Sequence, residues 1–198
     1  MNTSHSELRK VIENIVKINE ESWSEFESKI TNKELKKGDF LWREGQVCRS
    51  LVFLQKGLIR TVSFKNEREV THTIYEESSL FYDDYSFLSQ NPCKKSFEAL
   101  EDCQLSLSSR SDLFTMYDRH KSFERLGRIA VETAHVRMIE NIERINLNSA
   151  EENYMHLLDS RPHLIQRISQ KIIASYLNVT TEHLSRIRRN IVKKPGQQ

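Results

Sequence analysis

Gln170-Lys171-Ile172-Ile173-Ala174-Ser175-Tyr176-Leu177-Asn178-Val179-Thr180-Thr181-Glu182-His183-Leu184-Ser185-Arg186-Ile187 holds two short helical patterns around a turn. Ser169 is placed to cap the first helix and Thr180 the second. Two helices crossing at a tight turn need a small residue where they touch, and a turn residue that tolerates left-handed backbone. They also need apolar side chains at the crossing. Ala174 meets the first need and Asn178 the second, while Ile173, Leu177, Val179, Leu184 and Ile187 supply the wedge between the helices. The stretch reads as a helix-turn-helix.

With those apolar positions turned inward, the second helix shows Thr181, Glu182, Ser185, Arg186 and Arg189 outward. This face suits the DNA major groove. Arginine donates two bonds to guanine, glutamate accepts from cytosine N4, and a threonine methyl meets thymine. Thr181, Glu182, Ser185 and Arg186 are therefore the candidate base readers. Lys171, Thr180, Arg188, Arg189, Lys193 and Lys194 are the candidate phosphate contacts. Charge agrees: from Arg161 to Gln198 eight basic residues face the single acid Glu182, a local +7 within a chain of formal charge +2, which leaves −5 for the rest. A solvated basic tail, or a helical hairpin that docks a protein partner, is the competing reading.

Upstream, Ser149 with Glu152 predicts a capping box for a helix ending near Asp159, ahead of Arg161-Pro162. Before it, Lys121 to Leu147 contains no proline and one glycine, with Leu126, Ile129, Val131, Met138, Ile142 and Ile145 at three- and four-residue steps. One helix of about 25 residues, roughly 37 Å long, is expected. Such a helix outruns a small domain, so its stripe calls for a second copy of the chain. Phe40 to about Ser108 has a shorter period: Ser50–Leu54, Leu58–Phe64 and Val70–Tyr75 read as strands, with Lys65-Asn66-Glu67 as a hairpin connection. Their spacing predicts an antiparallel roll. Phe81 to Leu88 interrupts it as a helical turn or two. Ser111 is expected to cap the helix that follows, and Ser4 with Glu7 to open an N-terminal helix. A second short helix is expected to carry Trp23, Phe26 and Ile30.

Nine Phe, six Tyr and two Trp in 198 residues suffice for a core without covalent staples. Three cysteines, Cys48, Cys93 and Cys103, match neither a disulfide framework nor a zinc pair, which points to a reducing cytoplasm. The polar start lacks a signal-peptide core, and no apolar run approaches a membrane span, so no membrane partner is expected. The seven histidines lack paired ligand spacing, so no metal site is expected. There is no GxSxG, GxxxxGK[ST] or GxGxxG, and Asp83-Asp84 reads more simply as a cap than as acid-base chemistry, so no catalytic residue is assigned.

In order of parts, the chain resembles the Crp/Fnr family of bacterial transcription regulators from about Leu8 to Val192. The resemblance is carried by Lys37-Gly38-Asp39-Phe40-Leu41 with Arg43-Glu44-Gly45, by Phe53-Leu54-Gln55-Lys56-Gly57-Leu58-Ile59-Arg60, and by Phe97-Glu98-Ala99-Leu100-Glu101-Asp102-Cys103. It implies an α+β fold: a cyclic-nucleotide-binding-like β-roll over residues 1–120, a long dimerisation helix and linker over 121–147, and a helix-turn-helix domain over 148–198. It further implies a homodimer on a two-fold related operator in double-stranded DNA, with RNA polymerase as a further partner. By position, the family's base-reading sites fall on Thr181, Glu182 and Arg186. Thr181 stands where members commonly carry arginine. Ile191 to Gln198 are too few for the family's terminal β-hairpin.

In nucleotide-binding members a Gly-Glu pair opens a short helix and an Arg-Ser pair holds the cyclic phosphate. Here Tyr82 replaces the glycine, Asp83 the glutamate, and Cys93-Lys94 the Arg-Ser pair; a shifted alignment offers Lys95-Ser96. Lysine lacks the planar fork that grips phosphate, and the added Asp84 opposes an anion. No cofactor is expected and cAMP is disfavoured as effector, leaving Tyr82, Asp83, Cys93, Lys94, Lys95 and Ser96 as a pocket for a different molecule or none. Cys93 beside two lysines is a redox candidate if exposed and an ordinary thiol if buried. His72 and Cys48 read as structural rather than as heme ligands. A ligand-sensing roll acting through a protein partner is the alternative to DNA binding.

Overall fold

Runs of β-branched and aromatic residues give the strands of the roll: β1 (Ile30–Leu35), β2 (Phe40–Trp42), β3 (Ser50–Lys56), β4 (Ile59–Lys65), β5 (Arg68–Tyr75), β6 (Leu80–Phe81), β7 (Ser96–Ala99) and β8 (Cys103–Ser109). The computed structural model describes residues 3–65 and 68–193. Two four-stranded sheets form, in the orders β1-β8-β3-β6 and β2-β7-β4-β5. The pairs β1–β8, β3–β8, β3–β6, β2–β7 and β4–β7 are antiparallel, as the strand spacing predicts. The expected hairpin connection at Lys65-Asn66-Glu67 lies in part outside the described residues, at 66 and 67.

Register decides which side chains meet. Ile59 lies opposite Ala99 and Thr61 opposite Phe97. Val52 pairs with Leu107 and Leu54 with Leu105. An aromatic group fills the roll: Tyr75 stacks on Phe81 at 4.0 Å, and Trp42 meets Phe97 edge-on at 5.0 Å. Helices α1 (Thr3–Glu13) and α2 (Glu20–Glu27) add Leu8, Ile12, Trp23 and Phe26 to the same core.

Three helix boundaries differ from the sequence expectation: α1 begins at Thr3, so Ser4 lies inside the helix rather than opening it, and Glu7 accepts from the Ser78 hydroxyl at 2.7 Å. The second helix stops at Glu27, and Ile30, expected on it, opens β1 instead. β1 shows no alternation, because Thr31 to Glu34 are all exposed; it is a sheet edge whose strand partner is β8. The cap of α4 (Arg110–Arg119) is Ser109 rather than Ser111: the Ser109 hydroxyl accepts from the Asp112 N–H at 3.0 Å. Between β6 and β7 lies the expected short helix, α3 (Asp84–Ser89), capped by Asp83.

The long helix is α5 (Lys121–Leu147), with the bounds read from the sequence. It is followed by α6 (Ala150–Ser160), α7 (Pro162–Arg167), α8 (Gln170–Tyr176) and α9 (Thr181–Lys193). Ser149 and Glu152 form the expected capping box on α6, with both reciprocal bonds made. α7 begins at the proline that was read only as a break, since proline is tolerated in a first helical turn. The chain divides into two compact units, one of residues 1–63 with 74–135, the other of 64–73 with 136–198.

Candidate nucleic-acid interface

The second unit carries the segment quoted at the outset. Ser169 caps α8, its hydroxyl accepting from the Ile172 N–H at 3.3 Å. Asn178 takes the left-handed conformation, φ +55°, that the turn requires. The Val179 N–H then closes back on the Ala174 carbonyl at 2.9 Å. Thr180 starts the next helix, its hydroxyl accepting from the His183 N–H at 3.2 Å. Ile173, Ala174, Leu177, Leu184 and Ile187 are buried, and Val179 is half-buried. Packing these together sets α8 against α9.

Burying Leu184 and Ile187 turns the opposite side of α9 to solvent. Thr181, Glu182, Ser185, Arg186 and Arg189 are all exposed there, and so are Thr180 and Arg188 on its flanks. Lys193 ends α9, and Lys194 lies outside the described residues, as does most of the segment where a terminal hairpin was expected to be absent. The Glu182 carboxyl is held below the usual carboxylate range by its own backbone N–H, then by the hydroxyls of Thr180 and Thr181. Thr181 donates to Glu182 Oε1 at 3.1 Å. At neutral pH this side chain is an ionised acceptor at a helix N-terminus. His183 and Asn190 are exposed on the same helix and were not singled out from the sequence. Their signal was the inward pattern of Leu184 and Ile187, which leaves every other side chain of the first three turns available.

Lys171 behaves differently from the other candidate phosphate contacts. Its ammonium lies 3.7 Å from the Glu69 carboxylate. One turn on, the Ser175 hydroxyl donates to the Glu69 carbonyl at 2.9 Å and accepts from the Thr71 N–H at 2.8 Å. All four residues belong to the second unit.

In the first unit the candidate pocket residues separate. Asp83 is buried as the cap of α3, accepting from the Ser86 N–H at 2.7 Å. Ser86 also accepts from the Cys48 N–H at 2.8 Å, and Cys93 is buried on the same side, its N–H donating to the Gln46 carbonyl at 2.7 Å. Burial pushes the Cys48 thiol up to about 11 and raises the Cys93 thiol as well. Both are therefore protonated near neutrality, contrary to the thiolate that Lys94 and Lys95 suggested for an exposed Cys93. Lys94 turns away, its ammonium 4.2 Å from the centre of the Tyr85 ring. Ser96 accepts from the Glu44 N–H at 3.0 Å. Tyr82 stacks on Phe87 at 4.3 Å. Lys95 is half-buried and favours the charged form of Asp84, whose carboxyl is nevertheless raised, first by desolvation and then by Asp83. An anion would meet acids here and no guanidinium from the substituted pair. Among the described residues no group of three or more His, Cys, Asp or Glu is placed to hold a metal ion, and no helix is long and apolar enough to cross a membrane.

The sequence of residues 32–120, from within β1 to the end of α4, matches the family model of the cyclic nucleotide-binding domain. This segment is similar in sequence to that domain. No curated protein sequence matches the chain. Among solved structures, FixK2 from Bradyrhizobium japonicum is similar at TM-score 0.70 and 18% identity, over 83% of this chain and 85% of that one. The c-di-GMP responsive global regulator CLP of Xanthomonas campestris is similar at TM-score 0.68 and 12% identity, over 88% of this chain and 92% of that one. A protein from Eubacterium rectale described as a transcriptional regulator of the crp/fnr family is similar at TM-score 0.70 and 17% identity, over 89% of this chain and 85% of that one. The chain thus shares its fold with the global regulator CLP and with the Eubacterium rectale protein described as a crp/fnr-family transcriptional regulator.

Proposed function

We propose that the chain is a sequence-specific, DNA-binding transcription regulator of the Crp/Fnr type that reads a two-fold related operator as a homodimer. One observation carries the reading: α8, the Asn178 turn and α9 bury Leu184 and Ile187 and so leave Thr181, Glu182, Ser185 and Arg186 together on an exposed helix face. As a helix-turn-helix, α9 enters the major groove and these four side chains read bases. Thr180, Arg188, Arg189, Lys193 and Lys194 meet phosphates, joined by Lys171 once it leaves Glu69. The homodimer is supported by the exposed apolar side chains of α5, among them Val131, Met138, Ile142 and Ile145. The protein acts as a regulator rather than an enzyme, in the cytoplasm, with RNA polymerase as the partner of the DNA-bound dimer.

The roll works without cAMP. Tyr75, Phe81, Phe97 and Trp42 occupy the space between the sheets, and the positions that hold phosphate in nucleotide-binding relatives carry Cys93 and Lys94. Selection of bound sequences from random duplex DNA tests the reading. Recovered sites should contain inverted half-sites with centres about 34 to 36 Å apart. Arg186→Ala should cost about 1 to 3 kcal/mol on the recovered site and relax one base position. Recovery of unrelated sequences, or an equal loss on all DNA, would overturn base reading by α9.

A further inference from the structure

We infer that the outer edge of β5 at Glu69–Thr71 is an autoinhibitory latch on α8, competing with duplex DNA for Lys171; the inference rests on the DNA-binding reading above. β5 is the outer strand of its sheet, and an outer strand presents backbone groups that another element must satisfy. Here the Glu69 carbonyl and the Thr71 N–H, which point the same way because they are two residues apart, both bond the single hydroxyl of Ser175, at 2.9 and 2.8 Å. One serine on α8 thus stands in for a neighbouring strand at two positions. Lys171, one helical turn earlier and on the same face as Ser175, has its ammonium 3.7 Å from the Glu69 carboxylate.

The contact and the duplex exclude one another at Lys171. The ammonium side chain is 74% exposed and Glu69 only 19%, so a phosphate reaching Lys171 from solvent arrives beside a carboxylate fixed in the protein. Two anions sharing one cation repel, and the repulsion is largest at low salt, where phosphate contacts are strongest. With Ser175 bonded to the strand edge, α8 cannot carry Lys171 away from Glu69. Releasing the strand edge frees both the lysine and the helix. This gives the outer edge of β5 a role in setting DNA affinity that does not require any ligand to touch α9.

The test uses the full chain, a random-sequence duplex of about 30 base pairs and a salt series, because a phosphate contact is independent of sequence. Glu69→Gln should tighten binding about 3- to 10-fold at low salt and steepen the salt dependence by about one phosphate contact. In a Lys171→Gln background the same exchange should do nothing. Ser175→Ala should tighten binding as well, and it should speed amide exchange at Thr71 in the free protein, a readout independent of DNA. Adding DNA to the wild type should likewise speed exchange at Thr71. If Glu69→Gln acts equally with and without Lys171, or leaves affinity unchanged while Arg188→Ala still weakens binding, the latch is overturned and the DNA reading stands. If no variant changes duplex binding, Arg188→Ala included, the DNA reading fails and takes the latch with it.

Discussion

At Gly57 a backbone requirement and a packing requirement coincide. The residue sits at φ +100°, and a Cβ built there would lie 2.7 Å from both the Asp102 carbonyl oxygen and the Cys103 sulfur. Neither neighbour is the end of a long, flexible side chain that could swing aside. Gly57→Ala is therefore expected to destabilise the first unit by about 1 to 3 kcal/mol, read as a lower denaturation midpoint at unchanged slope. The sequence showed that a glycine punctuates the strands at this point, but the pressure from Asp102 and Cys103 comes from a distant part of the chain and could not be read locally. Asp84 is a second case. The residue is exposed, yet desolvation of its carboxyl and then Asp83 raise it against a smaller opposing pull from Lys95, so folding favours the protonated form relative to the unfolded chain. The associated stability is present below the ordinary aspartate range, near pH 3.9, and is lost as pH rises through the raised native value. Asp84→Asn should raise the melting temperature at pH 7 to 8, and the gain should shrink as the pH falls toward 4. A gain that is constant with pH would show that charge is not its cause.

Elements whose cause is local were legible; elements made by their neighbours were not. The α6 cap needs only Ser149 and Glu152: the serine hydroxyl accepts from the Glu152 N–H at 3.2 Å, and the glutamate returns the favour to the Ser149 N–H at 2.7 Å. Four residues contain that whole argument. Likewise the turn at Asn178 and the inward set Ile173, Ala174, Leu184 and Ile187 follow from spacing alone, so the exposed face of α9 could be written down from the sequence. β1 is the opposite case. Ile-Thr-Asn-Lys-Glu-Leu has no period of two, and its six residues become a strand because β8 offers them a complete ladder from Ile30↔Ser108 to Leu35↔Cys103. The Glu69–Ser175–Thr71 contact was equally invisible, since nothing in either segment names the other. Ser149→Ala should cost about 1 kcal/mol, within 0.5 to 2. Amide exchange should quicken in the first turn of α6 while the roll stays unchanged; an equal loss of protection in the roll would mean that the cap is not the local device described here.

For the molecule as a whole, the telling feature is a change of environment along α5. Its first turns are core: Phe123 and Leu126 are buried, and Ile129 packs against the same cluster. Beyond that point apolar side chains of the helix are about half exposed. Val131 is 43% exposed, Met138 52%, Ile142 51% and Ile145 61%. Their steps of seven, four and three residues put them on one stripe of the helix, the pattern of a seam between two helices. Fully burying one such side chain is worth about 1.5 to 3 kcal/mol, and a seam between identical helices buries each of them twice. A two-fold pairing along this stripe would also duplicate α9, as a two-fold operator requires. Ile142→Glu places a carboxylate, and in the dimer two, in the middle of the stripe. The wild type is expected to sediment at twice the mass of one chain and Ile142→Glu at the mass of one, with the melting of the roll unaffected. The variant should keep weak, half-site binding to DNA and lose the added affinity of the second half-site. A wild type that stays monomeric at high concentration, or an Ile142→Glu dimer of unchanged strength, would remove α5 as the seam and with it the reason to expect inverted half-sites.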